Sequence, residues 1–393
     1  MSEINLIYTS LKLLEFAIFL LFGYIISKSP KHYWKYAIFP IAVFAIVEGL
    51  RFGREIDYNE YYFRYINIGQ NFNSEDYEFI FKLICYTCYN IGIPYYLFIF
   101  FQSAFLIFCT FLFIKRYKQA IQYVLPLVLF ELYGNNMFIR WYLAFSFFLL
   151  FLHYYLERKT YKSLFFIVIT CLTHIGFTTL LPFIALHKLL SKKGIPPKIS
   201  VPLFLVTLFV SNLSYLNFIV TFSNILLKLG LGSIDPRLNL YLNSTEDIIS
   251  GNFGNIGVIN LTISNSIRLA IAYIPAMLWG LKCMKKYHEG IFIYNLFVIG
   301  AIVSPLFLKV EILNRLSGVL VFFYSICGGI LFFHAFKNIQ RLRTPIKAIM
   351  LISYLCALWP NVSIAIRDNL RDNQMLFIWD AHGRNYLNTF RKE

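Results

Sequence analysis

The sequence predicts an all-α, polytopic integral membrane protein with about ten crossings, a re-entrant helical hairpin, an interfacial helix and both termini extracytoplasmic. Hydrophobic residues make up 58% of the chain and charged residues only 14%, which excludes a soluble globular protein. Several apolar runs of about 18–25 residues are long enough to cross a bilayer as helices. Short loops rich in Lys and Arg separate these runs and indicate their orientation.

The positive charge is concentrated in the loops between the apolar runs. More than half of the 36 Lys and Arg residues lie there, and such loops mark the cytoplasmic side of a membrane protein. The net charge of +16 therefore reflects membrane orientation, and a nucleic-acid partner is excluded. The basic loops lie at residues 28–35, 115–118, 158–162, 188–198, 282–286 and 337–347.

With these loops inside, residues 1–393 are predicted to form a single transmembrane domain. The first run, residues 6–27, lacks a basic n-region and precedes a basic loop, so we interpret it as a retained span. Outer loops are expected at about 51–93 and 218–257, and a polar outer tail at 361–393. The crossings are predicted at residues 6–27, 36–50, 94–114, 121–133, 137–156, 199–217, 258–281, 291–307, 313–333 and 346–360.

Two apolar segments do not fit a simple crossing. Residues 161–189 have basic loops on both sides and a polar pair, Thr173-His174, in the middle. A hairpin of half-helices that turns near His174 satisfies both flanks, and membranes tolerate such a turn where it is buried in protein or lines a wet cavity. Residues 79–90 are short and mixed in polarity, so they are expected to form a helix in the outer interface.

Arginines recur at the predicted outer ends of the spans. Each could simply cap a helix or extend to lipid headgroups. Several together, from separate segments, predict a site for an anion, because the guanidinium group binds phosphate oxygens in pairs without a metal. The residues of this predicted clamp are Arg51, Arg54, Arg140 and Arg315, with the more deeply placed Arg268 as a lower-ranked member.

Acidic residues crowd the first outer loop, where they could simply balance nearby arginines. Asp57 is the best candidate for a general base, because Arg51 and Arg54 are close in sequence. Oxygen ligands at Asp76 and Glu78 could suit a divalent cation, but the spacing is short and common. We therefore predict no metal and no cofactor.

His174 is the remaining candidate for chemistry. A lone histidine in an apolar segment is often hydrogen-bonded to a neighbouring helix. A break in the span at this point instead favours a cavity, in which His174 would donate to a phosphate or take up a proton. Tyr58, beside Asp57, could stack on a sugar face, although interfacial aromatic belts explain most such residues.

In order and spacing these residues resemble the EpsG-like branch of the Wzy-type polysaccharide polymerases. The likeness covers most of the chain. It departs from the family pattern at Glu55, Trp141 and Gly176, where relatives usually carry Gly, Gln and Ser. The matching residues are Arg51, Asp57-Tyr58, Tyr61 or Tyr62, Glu78-Phe79, Arg140, Arg158-Lys159, His174 and Asn314-Arg315.

The resemblance implies a membrane glycosyltransferase that polymerises glycan repeat units carried on a polyprenyl diphosphate, outside the bacterial inner membrane. Arg51, Arg140 and Arg315 would hold the diphosphate, and Asp57 or His174 would be the base. Glu78, Arg54, Arg268 and Tyr58 would also contact the substrate. The expected partners are this lipid-linked oligosaccharide, membrane lipids, a chain-length regulator and other glycan-export proteins.

Rival functions share some of these features. A lipid-linked sugar ligase, or another lipid-donor glycosyltransferase, uses the same chemistry and differs in its acceptor. A flippase or transporter would concentrate charge midway through its spans, which only Arg268 and the hairpin suggest. A membrane acyltransferase would use a cytoplasmic donor, whereas His174 is expected to lie outward.

Overall fold

The structure is a computed structural model whose described residues are almost all helical, so the predicted all-α class is confirmed. The described residues are 3–52, 56–136, 138–211, 262–308, 311–367 and 376–378, with a few positions between 220 and 244. The predicted outer loop at 218–257 lies almost entirely outside them.

The chain divides into two compact units, Met1–Leu181 with Phe332–Asn338 and Leu358–Glu393, and Pro182–Leu331 with Ile339–Ala357. The single transmembrane domain stays a prediction.

The first unit is a bundle in which helices adjacent in sequence often pack together. The helices of this unit are α1 Glu3–Lys28, α2 Tyr33–Gly49, α3 Ile56–Gln70, α4 Phe79–Asn90, α5 Tyr95–Ile114, α6 Ile121–Leu132, α7 Ile139–Leu156 and α8 Thr160–Thr173. Helix α7 packs on α5 and α8, α2 on α1 and α5, α1 on α6, and α4 on α3 and α8. Most of the buried core residues lie along α5 and α7.

Two short strands of the first unit form an antiparallel pair next to the end of α2. Strand β1, Arg51–Phe52, pairs with β2, Leu376–Phe377, in the register Arg51 to Phe377 and Phe52 to Leu376. Phe377 is buried and packs against Leu11 of α1. This part of the predicted outer tail therefore returns to the residues that follow α2.

The short helix α9, Leu181–Ala185, begins at the boundary between the units. The helices that follow it are α10 His187–Lys192, α11 Pro197–Val210, α12 Ile263–Met284, α13 Gly290–Phe307, α14 Glu311–Lys337 and α15 Thr344–Arg367. The last residues of α14 and α15 belong to the first unit. In the second unit α13 packs against α10, α11 and α12. The hydroxyl of Tyr324 donates to the carbonyl of Ala272 at 3.2 Å and so joins α14 to α12.

Seven of the described helices are long and apolar enough to cross a membrane, so the prediction of a multi-pass membrane protein is confirmed. The other three predicted crossings correspond to α2, α6 and α11, which have 17, 12 and 14 residues. At a rise of about 1.5 Å per residue, each is shorter than a hydrocarbon core of about 30 Å. The count of ten crossings stays a prediction.

The helix predicted at 79–90 is confirmed, and α8 ends at Thr173, immediately before His174. The extended backbone of His174, with φ −154° and ψ 112°, makes the predicted break. The hairpin path beyond the break stays a prediction.

The predicted first outer loop contains the 15-residue helix α3, which the sequence does not specifically predict. The predicted end of the last span is wrong. The last span does not end at Pro360, because α15 continues to Arg367. A proline removes one helical hydrogen bond without ending a helix whose neighbours satisfy the freed groups. Here Asn361 Nδ2 donates to the carbonyls of Pro126 and Leu358 at 3.1 and 3.4 Å.

Gly49 permits the close approach of α2 to α5. A Cβ atom at this position would lie 2.8 Å from Cα of Phe100, so Gly49→Ala forces the two backbones apart. We expect a loss of about 1–3 kcal/mol in the free energy of unfolding, measured as a lower thermal midpoint of the purified protein. Gly318→Ala is the matched control, because its Cβ would meet no atom within 4 Å. Equal midpoints for the two variants would contradict the close approach.

Candidate functional site

Glu78 joins two distant segments of the first unit. Its Oε2 accepts a hydrogen bond from Nη1 of Arg140 at 2.5 Å, and its Oε1 accepts from the backbone N–H of Ile175 at 3.0 Å. Glu78 immediately precedes α4, Arg140 is the second residue of α7, and Ile175 follows His174. The structure therefore brings the predicted residues Glu78, Arg140 and His174 to one place.

The Arg140 guanidinium is mostly buried, with 11% of the side chain exposed. Its carbon Cζ lies 4.5 Å from the ring centroid of Tyr77, a cation–π contact that holds the group in place. Nη1 is used by Glu78, whereas Nε is buried without a hydrogen-bond acceptor among the described residues. One edge of the guanidinium is thus fixed by the protein, and Nε is a donor whose acceptor is not among the described residues.

The break after α8 fixes the orientation of the His174 ring. Nδ1 accepts a hydrogen bond from the backbone N–H of Gly176 at 3.0 Å. The indole of Trp141 meets the imidazole edge-on, at 5.0 Å and 86°. A neutral imidazole whose Nδ1 accepts a hydrogen bond carries its proton on Nε2, so this nitrogen is a donor. The geometry favours a donating His174 over one that takes a proton through Nδ1.

Tyr77 is a site residue that the sequence reasoning missed. Its ring contacts two guanidinium groups, since its centroid lies 5.0 Å from Cζ of Arg64 and 4.5 Å from Cζ of Arg140. Burial raises the pKa of Tyr77, and the proximity of Tyr61 raises it further, so the ring stays neutral and keeps its electron-rich face. The sequence feature that could have identified it is an aromatic residue directly before Glu78, the acid that precedes α4.

Two other acids of the first predicted outer loop, Glu60 and Glu75, are held by arginine. Arg64 bonds Glu60 and Glu75, each at 2.6 Å, and Asn67 Nδ2 donates to the second carboxylate at 2.9 Å. This agrees with the interpretation that these acids balance nearby arginines. No group of three or more His, Cys, Asp or Glu side chains within the described part of the chain could hold a metal ion.

Arg51 and Tyr58 have internal contacts. The Arg51 side chain is fully buried, with Nη1 donating to the carbonyl of Glu48 at 2.7 Å and Nη2 to that of Asn135 at 3.0 Å. Tyr58 is also fully buried, and its ring packs edge-on against Tyr95 at 5.1 Å. A ring enclosed in this way cannot stack on a sugar, so in this structure Tyr58 packs in the core. Direct substrate contact by Arg51 stays a prediction.

Four other predicted site residues stay untested. Asp57 is the second residue of α3, but the position of its side chain is not described, and Arg54 lies outside the described residues. Arg268 and Arg315 belong to the second unit, half-buried near the N-terminal ends of α12 and α14. Their participation in a clamp with Arg140 therefore remains a prediction.

The fold and this cluster define a multi-pass helical membrane protein with an Arg–Glu–His site. The EpsG family model matches residues 34–370, most of the chain, and the protein belongs to the EpsG family. This is a Wzy-like polysaccharide polymerase family, so the resemblance is confirmed. No curated protein and no solved structure gives a significant match.

Gly176 and Trp141 are expected to be energetically coupled. A Cβ atom at position 176 would lie 3.0 Å from Cζ3 of Trp141 and 3.1 Å from Nδ1 of His174. Gly176→Ser should therefore cost about 1 kcal/mol in the free energy of unfolding. In a Trp141→Gln background the indole is gone and the cost should largely disappear, which a double-mutant cycle of thermal midpoints measures. An identical cost in both backgrounds would show that the two positions are independent.

Proposed function

We propose that this protein polymerises polyprenyl-diphosphate-linked glycan repeat units on the outer face of the bacterial inner membrane. The proposal rests on the two hydrogen bonds that the Glu78 carboxylate accepts, one from Arg140 and one from the backbone N–H next to His174. These bonds place a cationic group and an imidazole donor in one cluster of a membrane protein of the EpsG family.

The reaction needs stabilisation of a departing diphosphate. The acceptor hydroxyl oxygen attacks the anomeric carbon of the donor glycan, the bond from that carbon to the diphosphate oxygen breaks, and the hydroxyl proton passes to a base. Negative charge accumulates on the diphosphate as the bond breaks. A preorganised guanidinium in a mostly buried site stabilises this charge more effectively than water does. Arg140 supplies the guanidinium through its Nε edge, while Glu78 holds Nη1.

We assign His174 the donor role. With Nδ1 accepting from Gly176, the Nε2–H group is directed to an oxygen of the substrate, such as a phosphate oxygen. This assignment leaves Asp57 as the base that receives the hydroxyl proton. Tyr77 contributes by keeping the Arg140 guanidinium in place from its ring face.

Four more arginines, Arg51, Arg54, Arg268 and Arg315, are proposed to bind the substrate. The basic loops support ten crossings, with both termini and the site outside the cytoplasm. The reaction uses no metal and no cofactor, and its partners are membrane lipids, a chain-length regulator and other glycan-export proteins.

Removal of the gene from its host should leave single repeat units on the surface glycan, measured by gel electrophoresis of that glycan. The reason is that a polymerase acts before transfer to the final acceptor. Restoration of long chains by the wild-type gene is the control. Accumulation of unattached polymer would instead show a ligase, and an unchanged glycan would refute both functions.

Arg140→Lys should lower polymer formation by roughly 100-fold while the protein still inserts in the membrane, because a point charge cannot replace the guanidinium fork. The measurement is polymerisation of a purified lipid-linked repeat unit. Arg343→Lys is the matched control, since this exposed arginine lies in a predicted cytoplasmic loop. Near-normal elongation by Arg140→Lys would eliminate the proposed grip on the diphosphate.

A further inference from the structure

A cluster of ionisable side chains is fully buried where α1 and α2 pack together. It consists of Lys12 and Glu15 of α1 and Glu48 of α2. Lys12 Nζ lies 3.4 Å from Oε2 of Glu15 and also forms an ion pair with the Glu48 carboxylate. The ammonium group is 4.3 Å from the ring centroid of Tyr133. Lys12 belongs to the candidate span Thr9–Lys28, where unneeded charge is costly and rare.

Glu48 connects this cluster to Arg51. Its side chain pairs with Lys12, while its backbone carbonyl accepts from Nη1 of Arg51 at 2.7 Å. Nη2 of the same guanidinium donates to the carbonyl of Asn135 at 3.0 Å. The end of α2 is therefore tied to the turn that precedes α7.

Gln102 of α5 connects Asn135 to the first turn of α7 through hydrogen bonds. Its Nε2 donates to Oδ1 of Asn135 at 2.7 Å and lies 3.4 Å from the carbonyl of Ile139. Ser103 supports the same asparagine, accepting from Nδ2 at 2.9 Å. Ile139 begins α7 and directly precedes Arg140, so the series of hydrogen bonds ends beside the guanidinium of the proposed site.

The position of the cluster in the chain sets it apart from the family match. Lys12 and Glu15 precede residue 34, where the match begins, whereas Glu48, Arg51 and Asn135 fall within it. The family assignment therefore gives no role to these two residues. Their burial, and the pairing of Lys12 with both Glu15 and Glu48, are properties of this chain.

We infer that Lys12 is a positioning residue for Arg140, acting through its ion pair with Glu48 and the hydrogen bonds that follow. The ion pair fixes the end of α2, and Arg51 transmits that position to the start of α7. The inference rests on the proposed function and explains why an ammonium group is retained inside a membrane span.

The decisive variant is Lys12→Met/Glu15→Gln/Glu48→Gln, which removes the cluster's charge while keeping side-chain size. Replacement of a buried ion pair by neutral groups often preserves folding, so a thermal midpoint close to that of the wild type is expected. The kcat of polymerisation should nevertheless fall about 10-fold, with a smaller change in KM, because transition-state contact by Arg140 is weakened. Thr110→Val is the control, since its buried hydroxyl donates to the Leu106 carbonyl of its own helix and not to another helix among the described residues.

Charge exchange tests the ion pair itself. In a Glu15→Gln background, Lys12→Glu and Glu48→Lys should each reduce kcat, because each places two like charges together. The double exchange in the same background restores an ion pair and should recover kcat to within about threefold of the Glu15→Gln protein. A neutral variant with wild-type kcat, or a double exchange no better than the single changes, would overturn the inference. An inactive wild-type protein would instead refute the proposed function.

Amide hydrogen exchange gives a readout that does not depend on activity. In the neutral variant, peptides covering residues 133–142 should exchange faster than in the wild type, because Asn135 and the first turn of α7 lose their anchor. Peptides from α8 should be unchanged, and Thr110→Val should match the wild type throughout. Unaltered protection of residues 133–142 in the folded neutral variant would overturn the inference even if no polymerisation is detected.

Discussion

The two-sided contact of the Glu78 carboxylate is the interaction on which the candidate site depends. One oxygen holds the Arg140 guanidinium, and the other caps a backbone N–H released by the break after α8. A buried or half-buried carboxylate is stable only when its oxygens are satisfied by charge or by hydrogen bonds. The same requirement that keeps Glu78 stable therefore brings Arg140 and His174 together.

Polar groups elsewhere in the first unit follow the same physical rule. Both terminal nitrogens of the fully buried Arg51 donate to carbonyls that end or interrupt helices, and Asn135 is held by side chains of α5. A carbonyl at a helix end has no partner within its own helix, so it can accept from a buried guanidinium. Arg51 and Asn135 thus lie where helices stop, and each stabilises an interruption that a continuous helix would not need.

The local environment also decides between roles that the sequence left open. A histidine can donate or accept, and its neighbours fix which nitrogen carries the proton. In this chain the N–H of Gly176 occupies Nδ1, and Trp141 packs against the ring edge. These are two of the positions at which the sequence departs from the family pattern. The structure shows them in contact, since a Cβ at 176 would lie 3.0 Å from the indole.

Hydropathy and loop charge were sufficient to predict the class of protein and the positions of most helices. The short helix at 79–90 and the break at His174 could also be read from local composition. These features are local: a run of apolar residues satisfies its own backbone hydrogen bonds in a helix, and a polar pair interrupts it. The α3 helix was missed because its polar-aromatic composition has no strong hydrophobic signal.

What the sequence determined, then, was a multi-pass helical membrane protein of the EpsG family, with Glu78, Arg140 and His174 among the residues of interest. Only the tertiary structure decided that these three meet, that Tyr77 lies against Arg140, and that Arg51 and Tyr58 are enclosed. The buried partners of Lys12 were equally invisible in the sequence. Contacts between residues distant in the chain depend on which helix faces pack together, and local patterns of polarity do not encode that choice.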